Sequence, residues 1–80
     1  MGTVRLSLAV VMRWINDLGV KHPDLPALRQ RALALAAAYD VEAAWVAGIF
    51  YALLREGHSV ERIGALRDGQ VVVWARDYAT

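Results

Sequence analysis

Side-chain catalysis needs a proton acceptor within reach of a nucleophile, or two carboxylates held in unlike environments. In this 80-residue chain the nearest approach to the first is His58 beside Ser59. Neighbours at a helix start do not generally face each other, and an N-cap role accounts for Ser59 fully. His22 stands before Pro23, where a solvated turn residue is the simpler reading. With no cysteine and two histidines, a zinc cluster is excluded. The sequence has no glycine-rich phosphate loop. No catalytic residue, metal ligand or cofactor is expected, and the chain reads as a non-enzyme.

Trp14, Trp45 and Trp74 could stack on a flat ligand, but aromatics at helical spacing in a small domain are far more often core or interface anchors. Arg29 and Arg31 could meet phosphate or an acidic partner, but a solvated helix face is the better explanation. Eight arginines to one lysine, among many Ala, Val and Leu, suit a GC-rich bacterial or phage genome.

These residues must be positioned by one small domain, since 80 residues leave no room for a second. A chain this short buries only about 60–65% of its unfolded surface, and without disulfides or zinc the common remaining support is dimerisation. Its apolar content of 58% exceeds the usual ~45–50%, as expected of a surface partly covered by a second copy. The longest nearly uninterrupted apolar stretch, 41–54, contains Glu42 and is shorter than the ~20 residues of a membrane span. Arg13, Asn16 and Asp17 interrupt the opening segment, and no A-x-A-like cleavage site follows it. The expectation is a cytoplasmic protein with no membrane segment.

Periodicity predicts a mainly α fold of four helices. The first runs over 8–18, with Ser7 as N-cap, Val11, Trp14, Ile15 and Leu18 at helical spacing, and Gly19 just past its end. Thr3 to Leu8 also alternate polar and apolar, as in a short strand. Asp24 and Pro26 open the second helix, whose stripe is Leu25, Leu28, Ala32, Leu35, Ala36 and Tyr39, with Arg29, Gln30 and Arg31 facing water. Asp40 is expected to cap the third, with Glu42 in its first turn and Gly57 at its end.

That third helix is apolar all round. Ala44, Trp45, Ile49 and Leu53 form one stripe, and Val46, Phe50 and Leu54 another. A helix of this kind is buried on several sides, so Trp45, Val46, Ile49, Phe50 and Leu54 are the expected oligomer interface. Ser59 then caps a short fourth helix, with Glu61 in its first turn and Val60, Ile63 and Leu66 pointing one way.

Two readings stand for the C-terminus. Val71-Val72-Val73-Trp74 after Asp68-Gly69 has the composition of a strand in a short hairpin, which could pair with 3–6. Local chemistry favours the strand, while Val72, Ala75, Tyr78 and Ala79 also lie at helical spacing, with Asp68 as their cap.

The run 53–66, Leu-Leu-Arg-Glu-Gly-His-Ser-Val-Glu-Arg-Ile-Gly-Ala-Leu, followed by Val72, Ala75, Tyr78 and Ala79, resembles a helix-turn-helix. It is similar to the C-terminal domains of DNA invertases and resolvases and to antitoxin-like trihelical proteins. In such families a helix ends at Gly, a short helix with a small residue at its centre, here Gly64, packs across it, and a recognition helix follows. The resemblance spans about a third of the chain and implies that Arg67, Gln70 and Arg76, with Arg62, meet duplex DNA. Asp68 stands where the family's turn usually has Gly, and Asp77 where a buried apolar residue is usual.

Charge is unevenly spread. Residues 1–39 carry five basic and two acidic side chains, a net of +3, whereas 40–80 carry four arginines and six acids, a net of −2. Phosphate neutralisation drives most non-specific affinity, so dimerisation would have to gather Arg62, Arg67 and Arg76 on one face. In the basic half, the N-terminus distantly resembles ribbon-helix-helix repressors, which implies that Thr3, Arg5 and Ser7 face a major groove from a ribbon shared by a dimer. The expected function is a small bacterial or phage DNA-binding regulator, acting as a homodimer. The other reading is an oligomeric interaction module, such as an antitoxin-like protein, adaptor or inhibitor, that binds a partner protein and no nucleic acid.

Overall fold

A computed structural model describes residues 6–79, which form five helices: α1 Leu8–Asp17, α2 Leu25–Tyr39, α3 Ala43–Arg55, α4 Val60–Gly64 and α5 Asp68–Ala79. The mainly α expectation is met with one helix more than the four expected. No strand occurs among the described residues.

The segment 71–74 lies inside α5 and forms no strand. Val71, Val72 and Ala75 are all but fully buried, and their spacing puts them on one stripe of a helix. As alternating strand residues, Val71 and Val72 would face opposite sides and could not share this core. Tertiary burial therefore overrides the β preference of the valines. Of the proposed N-terminal strand, residues 3–5 lie outside the described residues, and Leu6 packs half-buried against the core without strand structure.

α3 is central and contacts each of the other four helices. Its all-round apolar character is thus used within a single chain: Val46, Ala47 and Phe50 are fully buried, and Ile49 and Leu54 nearly so. Val11 and Ile15 of α1, Leu28, Ala32 and Leu35 of α2, and Val60 and Ile63 of α4 complete one core.

Helix ends follow local chemistry. The Ser7 hydroxyl accepts from the Val10 amide at 3.2 Å, and Ser59 does the same for Arg62 at 3.1 Å. α3 ends in a Schellman arrangement, in which the His58 amide donates to the Leu53 carbonyl and the Gly57 amide to the Leu54 carbonyl, both at 3.0 Å. Gly57 has φ +100°, a conformation glycine adopts at little cost.

Asp40 corrects a sequence expectation. It does not cap α3. Instead it closes α2 in the left-handed region, at φ 53° and ψ 51°, and Glu42 is the N-cap of α3 without a side-chain bond. The chain must reverse between α2 and α3 within a few residues, and an aspartate tolerates the left-handed region better than most residues.

Candidate nucleic-acid interface

α4 and α5 are joined by the short turn 65–67. The Leu66 amide donates to the Ile63 carbonyl at 3.1 Å, and the Arg67 carbonyl accepts from the Gln70 and Val71 amides, both at 3.1 Å. Val60 and Ile63 from α4 and Val71, Val72 and Ala75 from α5 turn into the core. Their burial fixes the two helices on α3 and turns Arg62, Arg67 and Gln70 outward, all three exposed. Among the described residues, these three side chains make no hydrogen bond or ion pair.

Arg76 differs from the other three. It is exposed, yet its Nη2 donates to the Tyr39 carbonyl at 2.7 Å, at the C-terminal end of α2. A cation there meets the negative end of the α2 dipole, so Arg76 ties α5 to α2. Asp77 is exposed on α5 and does not take the buried place that the resemblance gives it. Gly64 is exposed too, and a Cβ built there would meet nothing within 4 Å, so α4 makes no close approach at this glycine.

Arg31 on α2 holds this unit together. Its Nη1 donates to the Ile63 carbonyl at 2.9 Å, its Nη2 to the Leu66 carbonyl at 2.5 Å and to Asp68 Oδ1 at 2.7 Å, and its Nε to Asp68 Oδ1 at 3.1 Å. The guanidinium carbon also lies 5.7 Å from the centre of the Phe50 ring. Sequence spacing sets Arg31 with Arg29 and Gln30 on a water-facing side. Arg29 and Gln30 are exposed, but the Arg31 side chain is only 19% exposed. Helical spacing already carried the signal, because Arg31 is three residues after Leu28 and four before Leu35, both on the buried stripe.

His22 provides a second tie that periodicity does not reveal. Its Nδ1 accepts from the Asp24 amide at 3.0 Å, which leaves Nε2 to carry the ring proton toward the Glu61 carboxylate on α4. The Glu61 carboxyl is held below its ordinary value by a backbone hydrogen bond at its own position, then by the His22 ring, with Ser59 adding to the effect.

The remaining sequence candidates fall elsewhere. Ser59 Oγ is engaged as a cap, and His58 Nε2 faces Glu56 Oε2 at 3.8 Å, not the Ser59 hydroxyl. No group of three or more metal-binding side chains occurs among the described residues. Thr3 and Arg5 lie outside the described residues, while Ser7 is the α1 cap. Of the proposed oligomer interface, Val46, Ile49, Phe50 and Leu54 are covered by the chain's own helices, and half-buried Trp45 has its ring 5.3 Å from that of Tyr78. Trp14 is 40% exposed and its ring lies 5.7 Å from that of Tyr51, while Trp74 packs half-buried on the core. No helix among the described residues is long and apolar enough to cross a membrane. Comparison with protein-family models, with curated proteins and with solved structures finds no match to this chain.

Proposed function

We propose that the chain is a small DNA-binding regulatory protein, in which the α4–turn–α5 unit meets the duplex through Arg62, Arg67 and Gln70. One observation carries the reading: Arg31 fastens the turn from behind while these three side chains stay exposed and unbonded among the described residues. The two arginines suit phosphate, and Gln70, at the start of α5, suits an adenine edge. Arg76, placed by the resemblance at the same surface, acts in this proposal as the strut between α5 and α2.

The test is fluorescence anisotropy of a labelled random-sequence duplex at ~50 and ~200 mM salt. Micromolar binding that weakens steeply with salt, and that Arg67→Ala reduces more than Arg29→Ala, is the expected result. No binding at either salt by natively folded protein overturns the proposal.

A second reading, an interaction module without a nucleic-acid role, is favoured by a different surface. Leu33 and Tyr39, both large and apolar, stand exposed on α2, outside the α4–α5 unit. Folded protein that ignores DNA at low salt selects this reading.

A further inference from the structure

Gly48 sits in the middle of α3, where a Cβ built on its backbone would meet no atom within 4 Å. Glycine is among the least favourable residues in a helix interior, and nothing inside this chain requires one here. Gly48, itself buried, forms part of the floor of an open groove of about 420 Å³ along α3, lined also by Tyr51, Ala52, Arg55, Glu56 and Tyr78. Tyr51 joins this groove to α1 through its ring contact with Trp14. On α1, Val11 and Ile15 make the core contact, whereas Val10 and Trp14, with Leu18 at the C-cap, follow at intervals of four and remain 36–40% exposed. An apolar ridge therefore runs beside a groove whose lining includes a residue without a side chain.

We propose that this ridge and groove are where a second copy of the chain docks, with a twofold axis passing near Trp14. The charges beside the ridge select that occupant. Arg13 and Asp17 are exposed on α1 and four residues apart, and neither has an ion-pair partner among the described residues. Base before acid is the weaker order for a pair within one helix, so these charges contribute little where they stand. Antiparallel apposition of two α1 helices about Trp14 sets Val10 against the partner's Leu18 and Arg13 beside the partner's Asp17. The symmetry makes each contact twice. A foreign helix of one charge sign would satisfy one of these groups and oppose the other, whereas a second copy satisfies both. The inference stands on the α1–α3 face alone and is independent of the DNA reading. It places association away from the core surface of α3, which the chain covers by itself.

Sedimentation velocity over a concentration series tests it. The native chain is expected to dimerise reversibly. Arg13→Asp and Asp17→Arg should each weaken the dimer by about tenfold or more, since either change sets like charges against each other twice. An equimolar mixture of these two variants should associate at least as tightly as the native chain, because all the opposed charges then differ in sign. Gly48→Leu, which fills the groove, should also weaken dimerisation while circular dichroism shows native helix. The charge positions are exposed, so loss of folding does not confuse the outcome. A native chain that stays monomeric at ~0.1 mM, well above a micromolar dissociation constant, overturns the proposal. So does a dimer that is indifferent to both charge reversals, or a variant mixture that fails to associate.

Discussion

Arg31 on α2 and Asp68 in the first turn of α5 lie 37 residues apart in sequence and meet at 2.7 Å, Nη2 to Oδ1. The same guanidinium satisfies two carbonyls, those of Ile63 at the end of α4 and Leu66 in the turn. One side chain thus caps one helix, fixes the turn after it and anchors the helix that follows. Asp68 in turn sits at the positive end of the α5 dipole, where its charge is favourable with or without Arg31.

Arg31→Met should cost about 2–3 kcal/mol, because hydrogen bonds to charged groups contribute roughly 1.5–3 kcal/mol and the partner carbonyls lose their donor. Arg31→Lys keeps the charge but not the planar fork, and should recover less than half of that loss. Urea unfolding of the three proteins measures both values. Equal stability of the native chain and Arg31→Met would show that water replaces the clamp without cost.

Asp40 carries two unfavourable features at once, a left-handed backbone on a non-glycine residue and a negative charge at the C-terminal end of α2. Asp40→Gly relieves both and should stabilise the fold by about 1 kcal/mol, read as a higher thermal midpoint. Asp40→Val, β-branched and ill suited to positive φ, should lower it. The opposite ranking would place the value of Asp40 in a contact of its carboxylate.

Glu61 makes part of the stability pH-dependent. Its folded value lies below the ordinary 4.5, first through the backbone hydrogen bond and then through His22. Such a carboxylate adds stability that is present above the unfolded value and is lost as pH falls through the folded one. The native chain should therefore weaken on acidification below about pH 4.5, and Glu61→Gln should flatten that acid limb. Urea midpoints collected between about pH 3 and 6 supply the comparison. Parallel curves for the two proteins would remove Glu61 from the account.

Gly48→Ala adds a methyl group where nothing stands within 4 Å. It should stabilise the monomer by about 0.5–1 kcal/mol through helix propensity alone. Calorimetry at low concentration, where any association is absent, reads this directly, and a lower midpoint would mean that the glycine serves packing inside the chain.

Much of the fold was legible in the sequence because its signals are local. Ser7 and Ser59 as caps, Gly19 and Gly57 at positive φ, and Pro26 in a first turn each act within a few residues of themselves. Val71 to Trp74 were ambiguous for a physical reason, since valine prefers a strand and only contact with α3 decides for a helix. The apolar excess of α3 was visible, but not its cause: from one strand of sequence, a helix surrounded by its own chain and one covered by another copy look alike. Asp40 misled because the same residue type suits a helix start and a left-handed helix end. In the candidate site, Arg62, Arg67 and Gln70 follow from spacing along the chain, whereas Arg31 and His22 act over 32 to 39 residues. Long-range partners of that kind leave little local trace, though Arg31 at least lay on a stripe where a charge needed explaining.

The position of α3 at the centre of the other four helices also has a kinetic consequence. A helix that every other element packs against cannot be released piecemeal, so its amides should exchange with solvent only when the whole chain unfolds. α1, which rests on α3 along one side, should open first, whereas α5 is also held to α2 by Arg31 and Arg76. Folding would run the other way, with α3 and its first neighbour forming the nucleus and the remaining helices condensing onto it late. Changes at Phe50 or Val46 would then slow folding, while changes on the outer faces of α1 and α5 would mainly hasten unfolding.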